Sequence, residues 1–540
     1  MTLFQAILVA GLYWYSAVEF PYCLYSLITQ PVCSGLLVGL ILGDPTSGLA
    51  VGAAVQLIFL APSGFGGVVP TDKPAAGIIS AAAVITTGIS IEAGVVLAVP
   101  ASLLFAKLHT VRRLAASIWV HMADQYAEKG NTRGIVLAGT LYPAIFKIFL
   151  FWVPMTLMIY FGMDHVGSIV NGLPIWLSNG LTVTGTLLPA LGFAMTIRMI
   201  GRRELMPFFL AGFFVAQFTG ISTIGLILLA LFLAYLYIMY TKSENDATLS
   251  EMLGSFKVED MKSEEKRLLS KKDVTKMYFL WYAVAEMSNS FERLQSLAFC
   301  IAFTPAINKL YKENETEKIE ALKRHLQFFN TEGNLGAVIH GIVLSMEEER
   351  AMGVPIPEEA IVSLKAGLMG PMAGIGDTII WATLSVIFLA AILPSAAAGN
   401  MMAPIIYTIG FGGFLILIGY NMTHIGYKLG KKAATVILSS GILNRVISFF
   451  AVLGLFMLGG LTSGFINVQT PLVIKVNDAV IGVQTGILDA ILPGALSVIT
   501  VWSVYEYLRK GKGNVMLRAT IALVVIGLVL GALGILGTPA

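Results

Sequence analysis

The strongest constraint on this chain is a series of apolar runs, each close to or above the length that crosses a bilayer. Three examples are Ile135 to Gly162, interrupted only by Lys147, Ile221 to Tyr240, and Ile521 to Leu536. About 20 apolar residues in a helix span the hydrocarbon core. A helix also satisfies every backbone hydrogen bond within that core. The sequence therefore predicts an all-α polytopic membrane protein.

Composition supports this prediction, because hydrophobic residues make up 56% of the chain, charged residues make up 12%, and the mean hydropathy is +0.80. A soluble domain contains about 25% charged residues, so this chain has too few to coat a water-facing surface. Its net charge of +3 gives no indication of nucleic acid binding. Cys23, Cys33 and Cys300 show neither metal-binding spacing nor a disulfide framework.

Basic residues collect between the apolar runs, at Lys107 to Arg113, Arg202–Arg203, Lys262 to Lys276 and Arg509 to Lys512. Cytoplasmic loops carry an excess of Lys and Arg, so these segments are predicted to be cytoplasmic loops. The N-terminus, MTLFQAILVAGLYW, has neither a basic region nor a small-residue cleavage site. It is predicted to be a first membrane segment and not a cleaved signal peptide.

A polar stretch divides the chain into two apolar halves. Residues 1–240 form the first half and residues 277–540 form the second, while residues 241–276 are dense in Lys, Glu, Asp and Ser. Such a composition buries no core, so residues 241–276 are predicted to be a charged cytoplasmic linker. Within the second half, residues 277–365 mix apolar periodicity with charges, which indicates amphipathic helices at the membrane interface.

Each half contains an apolar segment interrupted by glycine and proline, with an aspartate embedded in it. The two segments are Gln30 to Ser80, which includes GDP, PSGFGG and PTDKP, and Gly367 to Trp381, GLMGPMAGIGDTIIW. Irregular backbone at membrane depth occurs where it is buried in protein or lines a water-filled cavity. Broken membrane helices often surround binding sites, so both segments are candidates for a site.

Isolated polar residues of the first half allow two interpretations each. Asp44, followed by Pro45, either caps the next helix or contacts a ligand. Gln56 stands alone in VGAAVQLIFLAP, so it either bonds a neighbouring helix or binds a ligand. Asp72 lies either in a solvated loop tip or in a site. Glu19 ends the first apolar run, either at the membrane interface or in a site.

Polar residues of the second half occur in longer strings. Glu292 and Arg293, in SNSFERLQ, are predicted to form structural ion pairs. Asn330, in RHLQFFNTEGN, either caps a helix or offers a ligand both a donor and an acceptor. Glu348 follows an apolar run and is either partly solvated or functional. Asp377, in GPMAGIGDT, either caps a helix or belongs to a site.

Enzyme motifs are not apparent in the sequence. The six histidines form no HExxH or His–Cys cluster, and the chain has neither a Walker loop nor a GxSxG elbow. The sequence therefore predicts no cofactor, no metal site and no catalytic residue. Movement of a solute through such a chain must be driven by a gradient or by a separate protein.

Several of these strings resemble the mannose-family sugar phosphotransferase system (PTS), in its two membrane components C (IIC) and D (IID). The second half is similar to component D through SFERLQSLAFCIAFTPAINKLY, RHLQFFNTEGN, SMEEERAMG, LKAGLMGPMAGIGDTIIW and VQTGILDAILPG, in that order. The first half resembles component C more loosely, through QPVCSGLLVGLILGDPTSGLAVGAAVQLIFLA, the GG-x-x-P-x-D segment 66–72 and RELMPFFLAGF. Components C and D are ordinarily separate chains, whereas here the charged linker would join them.

The resemblance implies a function and partners. The two components would bind a hexose or an amino sugar and carry it across the bacterial inner membrane by an elevator-like movement of a core domain. Separate cytoplasmic A and B components would phosphorylate the sugar from a phosphohistidine on B. The fused chain would form a homotrimer and would carry no phosphorylated residue itself.

A hexose presents neutral hydroxyl groups, so its site is expected to contain amides, carboxylates and aromatic rings. The candidate substrate-binding residues are Glu19, Gln56 and Asp72 from the first half, with Asn330, Glu332, Glu348 and Lys365 from the second. The rival hypothesis is a gradient-driven secondary solute transporter, which fits the broken helices equally well. The sequence leaves the sugar open among mannose, fructose, sorbose and amino sugars.

Overall fold

A computed structural model describes residues 1–60, 71–171, 174–200, 203–241, 267–430, 442–476, 479–511 and 515–537. This part of the chain is predominantly helical, and the predicted all-α class is confirmed. Most of the predicted linker, residues 242–266, lies outside the described residues, as do residues 66–70 of the glycine-rich segment. One small antiparallel hairpin pairs β1 Val473–Val476 with β2 Ala479–Gly482.

Helices of the first half follow one another through short connections. Thr2, Asp44, Asp72 and Ser90 cap four of them, because each side chain accepts a hydrogen bond from a backbone N–H in the first turn. A π-helical turn, Ile148–Trp152, and a 3-10 turn, Arg203–Leu205, interrupt the series. The helices are α1 Leu3–Val18, α2 Tyr22–Ile28, α3 Pro31–Leu42, α4 Pro45–Ile58, α5 Lys73–Thr87, α6 Ile91–Glu128, α7 Thr132–Gly139, α8 Leu141–Lys147, α9 Val153–Asn171, α10 Ile175–Leu187, α11 Pro189–Ile200, α12 Met206–Thr219 and α13 Thr223–Tyr240.

The second half contains two π-helical stretches, Asp377–Leu384 and Gln484–Leu488, each continuous with an α-helix. The helices are α14 Lys271–Val284, α15 Ser296–Leu310, α16 Glu315–His325, α17 Ala337–Ala351, α18 Glu358–Gly376, α19 Ser385–Ala397, α20 Met402–Leu429, α21 Ile442–Phe465, α22 Asp489–Ile491, α23 Ala495–Lys510 and α24 Val515–Ala532. Because α14 begins at Lys271, the last part of the predicted linker is helical.

Several helical stretches within the described ranges have the length and apolar composition of membrane spans. Five qualify singly, and two bent pairs raise the number to seven if each pair forms one span. The bent pairs are α2 with α3, at 69°, and Gln484–Ile491 with α23, at 65°. The chain is therefore a multi-pass membrane protein with discontinuous helices in both halves.

The predicted break at Asp44 is the tip of a tight helical hairpin formed by α3 and α4. Gly43 ends α3 with φ at +92°, and the Asp44 carboxylate accepts a hydrogen bond from Ser47 N at 3.0 Å, so its capping role is confirmed. A Cβ added at Gly35 would lie 2.4 Å from Gly48 O. Small residues allow such backbone-to-backbone packing of membrane helices. The glycines therefore set the spacing of this hairpin.

The predicted break at Gly367–Trp381 is wrong. Helix passes through Pro371 and continues as the π-helical stretch Asp377–Leu384 into α19. The glycines and Pro371 lie within α18, before the π-helical stretch begins, and they do not end the helix. Because the helix is continuous, the alternative that Asp377 caps a helix start is also wrong.

The loop predicted at Lys107–Arg113 is wrong as well, because these residues lie inside α6. Arg112 and Arg113 are only 3% and 7% exposed. A cluster of basic residues predicts a solvated loop, but Arg112 pairs with the buried Glu19. Arg112 and Arg113 are therefore part of the interior of the protein, whereas Lys107 is exposed.

Candidate functional site at the junction of the two halves

The segment 326–336 connects α16 to α17. It contains most of the polar string RHLQFFNTEGN, which occupies residues 324–334. Gln295 fixes this segment, because its backbone N–H donates to Phe329 O at 2.9 Å and its side-chain Oε1 accepts from Thr331 N at 2.8 Å. Gln295 immediately precedes α15. Its hydrogen bonds therefore hold this segment in position, although the segment has no regular secondary structure.

Glu332 is the centre of this segment and is buried, with 2% of its surface exposed. Its Oε1 accepts from Asn334 N at 3.0 Å and from Asn334 Nδ2 at 2.6 Å, and its Oε2 accepts from Leu335 N at 2.7 Å. A carboxylate oxygen accepts about two hydrogen bonds, so Oε2 retains capacity for a ligand hydroxyl. A Cβ added at Gly376 would lie 2.3 Å from Glu332 Cβ, so glycine is what lets Glu332 approach α18.

Helix α2 of the first half meets this segment directly. Gly333 N donates to the Tyr22 hydroxyl at 3.4 Å, and Cys23 Sγ donates to Asn334 Oδ1 at 3.2 Å. From the other side, Trp281 Nε1 donates to Gly333 O at 2.9 Å. Residues of both halves therefore surround Glu332.

A second carboxylate, Asp377, lies within electrostatic reach of Glu332. The Trp381 indole, one helical turn further on, lies near the Glu332 carboxylate and edge to face with the Tyr22 ring, with the two ring centroids 6.2 Å apart. Asn330 and Asp377 are half-buried, and neither side chain has a hydrogen-bond partner among the described residues. We call Tyr22, Asn330, Glu332, Asp377 and Trp381 the junction site.

Glu286 is a further acid near both Glu19 and the junction site, and it is not among the candidates predicted from the sequence. It interacts electrostatically with both Glu19 and Asp377. Its two oxygens accept from Asn289 Nδ2 and Gln295 Nε2, each at 2.6 Å. Glu286 is an isolated acid at the end of an apolar run, the same pattern that identified Glu19, so that pattern could have found it.

Tyr22 and Trp381 were also not selected from the sequence. Aromatic residues are frequent in membrane segments, and these two differ from the others only in their contacts. The sequence around Asp377 is equally compatible with a helix cap and with a site. Three of the five members of the junction site therefore depend on the fold for their recognition.

Glu19 ends α1 in the left-handed conformation, with φ at 62°. Its carboxylate pairs with Arg112, and its Oε2 lies 4.0 Å from Lys147 Nζ. Lys147 Nζ donates in turn to Val18 O at 3.2 Å and to Met287 O at 2.8 Å, which joins the two halves. Glu19 is 8% exposed, so the alternative of an exposed position is wrong.

Gln56 is fully buried and bonds the helix beside it. Its Nε2 donates to Gln30 Oε1 at 3.0 Å, and its Oε1 accepts from Val32 N at 3.3 Å. These bonds close the hairpin of α3 and α4 at its open end. The structure therefore gives Gln56 a helix-bonding role within the first half.

Asp72 is 2% exposed, so the alternative of a solvated loop tip is wrong. Its Oδ1 accepts from Ala75 N at 3.0 Å and caps α5. Its Oδ2 accepts from the Tyr13 hydroxyl and lies 3.0 Å from His109 Nε2. Asp72 therefore ties α1, α5 and α6 together within the first half.

Glu348 and Lys365 have partners of their own in the second half. Glu348 Oε1 accepts from Leu269 N at 2.6 Å and Oε2 accepts from the Tyr427 hydroxyl, so Glu348 anchors the chain that leads into α14. Lys365 Nζ lies 4.3 Å from the centre of the Phe299 ring. None of these contacts involves the junction site.

The junction site suits a neutral ligand that is rich in hydroxyl groups. Carboxylates accept hydrogen bonds from hydroxyls, and the Asn330 amide both donates and accepts. The Tyr22 and Trp381 rings offer apolar surface for the carbon skeleton of such a ligand. Sites for small molecules commonly combine apolar surface with a few placed polar groups.

Known proteins match both halves of the chain. Residues 3–236 match the family model of the PTS system sorbose-specific IIC component, and residues 268–536 match that of the PTS system mannose/fructose/sorbose family IID component. The mannose-specific EIID component of Escherichia coli (strain K12) is 36% identical over 265 residues, which are 48% of this chain and 92% of that protein. The mannose-specific EIIC component of the same strain is 32% identical over 186 residues, which are 34% of this chain and 69% of that protein.

Among solved structures, a chain from the cryo-EM structure of the mannose transporter ManYZ with microcin E492 is 33% identical. It covers 50% of this chain and 100% of its own length, with a TM-score of 0.30. The match to component D extends over nearly the whole of that relative, and the match to component C over more than two thirds. This chain therefore belongs to the mannose/fructose/sorbose family of PTS permeases, and it is a multi-pass sugar-transport protein in which a IIC and a IID component are joined in one chain.

Proposed function

We propose that the chain carries a hexose or an amino sugar across the bacterial inner membrane and that the sugar binds at the junction site. The observation that supports this most strongly is the pair of half-buried side chains, Asn330 and Asp377, without partners among the described residues. Asn330 precedes Glu332 by two residues, and Asp377 interacts electrostatically with Glu332, where the two halves meet. Polar groups in that position have hydrogen-bonding capacity to offer a ligand.

In this proposal, Glu332 and Asp377 accept hydrogen bonds from sugar hydroxyls, Asn330 donates and accepts, and two aromatic rings cover the sugar's apolar face. The remaining predicted ligands have protein partners for their polar atoms. We propose that they position the helices around the site; they are Glu19, Gln56, Asp72, Glu348 and Lys365. Their direct contact with sugar stays a prediction.

The proposed cycle follows from family membership and from the lack of a catalytic motif in the sequence. An elevator-like movement of a core domain carries the sugar, and separate cytoplasmic A and B components phosphorylate it. This chain binds and translocates without a phosphorylated residue of its own, and it works as a homotrimer. Residues 1–240 and 277–540 act as IIC-like and IID-like domains, joined by a cytoplasmic linker at residues 241–276.

Binding of a sugar panel to the purified full chain in nanodiscs tests the site. Mannose, fructose, sorbose and glucosamine are compared by calorimetry, and the best ligand is then titrated into variants. Asn330→Ala and Asp377→Asn are each expected to weaken binding at least tenfold while the protein assembles normally. Glu359→Gln, an exposed change on the same helical run as Asp377, is the control. Unchanged affinity in both site variants would refute the junction site.

Backbone space offers an independent test of the same site. Gly376→Ala adds a methyl group that collides with Glu332, whereas Gly374→Ala adds one that meets no atom within 4 Å. The first change is expected to weaken sugar binding about tenfold by displacing Glu332, and the second to leave it unchanged. Equal effects would mean that the position of Glu332 does not determine affinity.

Vesicle transport separates the proposed coupling from a gradient-driven mechanism. Vesicles that contain this chain alone are compared with vesicles that also receive A and B components and a phosphoryl donor. Accumulation of sugar phosphate only in the second set is the expected result. Proton-dependent accumulation of unmodified sugar in the first set would favour a secondary transporter.

A further inference from the structure

A second cluster of polar groups lies next to the junction site, on the side of the first half, and all its members are buried except the half-buried Glu286. It consists of Arg112, Arg113, Lys147, Glu19 and Glu286, and we call it the cation cluster. The three basic side chains are 3%, 7% and 1% exposed. Both arginines lie within electrostatic reach of both carboxylates, and of each other.

The cation cluster contains more donors than acceptors. Arg112 Nε and Nη2, together with Arg113 Nε and Nη1, are buried and have no hydrogen-bond partner in the described part of the chain. Glu19 is already shared between Arg112 and Lys147. Glu286 already accepts hydrogen bonds from two amide side chains.

The charge of the cation cluster, like its excess of hydrogen-bond donors, favours an anionic ligand. Counted as formal charges, the three bases and two carboxylates of the cation cluster sum to 3 − 2 = +1. Burial of an unpaired charge is unfavourable, so an arginine that stays buried without an acid is suited to an anionic ligand. The guanidinium group presents a planar fork of N–H donors, which matches the oxygens of a phosphoryl group.

We infer that Arg112 and Arg113, with Lys147 beside them, form a binding site for a phosphoryl oxyanion. Phe291 marks the entry to this site, because it is 46% exposed and its ring centroid lies 5.7 Å from the Arg113 guanidinium carbon. A ligand that displaces the ring reaches Arg113 first and then Arg112.

The location of the site connects it to the proposed function, on which this step rests. Gln295 links Glu286 of the cation cluster to the junction site, because its Nε2 donates to Glu286 at 2.6 Å and its Oε1 accepts from Thr331 N, next to Glu332, at 2.8 Å. Glu286 also interacts electrostatically with Asp377. A sugar phosphate that keeps its ring near Asp377 is therefore positioned to direct its phosphoryl group toward the arginines. The cation cluster would favour the phosphorylated sugar over the free sugar.

Thermal unfolding of the full chain in phosphatidylcholine nanodiscs tests this inference. Inorganic phosphate is compared with chloride at equal ionic strength, in the wild type, Arg113→Gln and Arg113→Lys. Arg133→Gln is the control, because Arg133 is exposed on α7. We expect phosphate to stabilise the wild type more than chloride does. Arg113→Gln should weaken phosphate binding at least tenfold, Arg113→Lys less, and Arg133→Gln not at all.

Two further arms identify the source of the phosphoryl group. Mannose 6-phosphate is expected to bind the wild type more tightly than inorganic phosphate, and this advantage should disappear in Arg113→Gln. If a lipid headgroup fills the site instead, phosphatidylglycerol nanodiscs will weaken the apparent affinity for phosphate in the wild type but not in Arg113→Gln.

Stabilisation by phosphate no greater than by chloride, or an Arg113→Gln variant that binds phosphate like the wild type, would overturn the inference. Sugar binding by the same preparation is measured in parallel. If free sugar still binds while phosphate does not, the anion site fails and the proposed function stands.

Discussion

Two buried arginines, Arg324 in the second half and Arg112 in the first, have contrasting partners. Arg324 donates Nε and Nη2 to Glu347 at 2.9 and 3.0 Å, and its Nη1 lies 3.5 Å from Glu358 Oε2. Arg112 pairs with Glu19 through one nitrogen and leaves two without a partner among the described residues. Arg324 Nη1 also lacks a hydrogen-bond partner among the described residues, so the two arginines differ mainly in the number of acids beside them.

The surroundings of Arg324 and the cation cluster also differ in their balance of acids and bases. Three acids, Glu317, Glu347 and Glu358, lie within ion-pair distance of Arg324. In the cation cluster, three bases share two acids. A buried charge that is fully paired joins elements of the fold, here α16 and α17, whereas an excess of buried donors is suited to a ligand. Burial alone therefore does not distinguish a structural arginine from a binding one.

The largest effect is expected from Glu347→Gln, which leaves Arg324 buried with its main partner neutralised. Removal of one member of a buried pair typically lowers the free energy of unfolding by about 3–5 kcal/mol. Thermal unfolding of the full chain in detergent, followed by tryptophan fluorescence, measures the loss. Glu349→Gln, two residues further along α17 and only half-buried, is the control. A loss no larger than that of the control would remove the contrast between the two arginines.

A smaller loss is expected from Lys147→Met, which keeps the length of the side chain and removes its charge. The carbonyls of Val18 and Met287 then lose their donor, at a cost of about 1–3 kcal/mol. Lys107→Met, an exposed change on α6, is the control in the same unfolding measurement. If Lys147→Met is as stable as the control, Lys147 does not hold the two halves together and belongs with the unsatisfied donors.

Sequence reasoning located acids better than it located their partners. Isolated carboxylates such as Glu19 and Asp72 are visible in apolar sequence because their burial is unfavourable without a partner. Arg112, which pairs with Glu19, is 93 residues away along the chain, and its neighbours suggested a solvated loop. Pairings of that kind depend on helix packing, which local composition does not encode.

Local rules succeeded where the interaction is local or strongly charged. Asp44 caps α4 as predicted from the Asp–Pro pair. The predicted ion pairing of Arg293 is also confirmed, with Asp124 at 2.7 Å. The break expected at Gly367–Trp381 is absent, because α18 continues through Pro371 and the glycines and passes directly into the π-helical stretch Asp377–Leu384. In the junction site, the sequence predicts the carboxylate Glu332, whereas only the fold identifies the aromatic residues Tyr22 and Trp381.

An exposed ion pair gives the baseline against which the buried ones are compared. Asp273 Oδ2 lies 2.6 Å from Lys309 Nζ at the start of α14. Burial acts to raise the pKa of Asp273, but hydrogen bonds from Lys309 and Ser270 outweigh it and lower the pKa to about 2. Since the folded pKa is below the ordinary value of 3.8, the stabilisation is present above pH 4 and is lost as the pH falls toward 2.

Asp273→Asn is therefore expected to lower the free energy of unfolding by less than about 1 kcal/mol at pH 7, as for other exposed pairs. The difference between wild type and variant should shrink as the pH falls from 4 to 2. Unfolding curves at several pH values measure it, with Glu359→Gln as an exposed acid that has no such partner in the described structure. A difference that stays constant over this range would assign the effect to the helix cap alone.

The smallest effect on stability is expected from Arg113→Gln, although Arg113 is as buried as a core residue. The variant loses a contact with the Phe291 ring, worth about 0.5–1 kcal/mol, and is relieved of an unpaired buried charge of comparable or larger cost. We therefore expect a change within about 0.5 kcal/mol, or a slight gain, in the unfolding measurement without phosphate. Arg324→Gln, the same substitution at the paired arginine, should be strongly destabilising because it leaves Glu347 buried without its partner. Equal losses in the two variants would mean that Arg113 has structural partners after all, and the difference between a paired and a ligand-binding arginine would not hold for this protein.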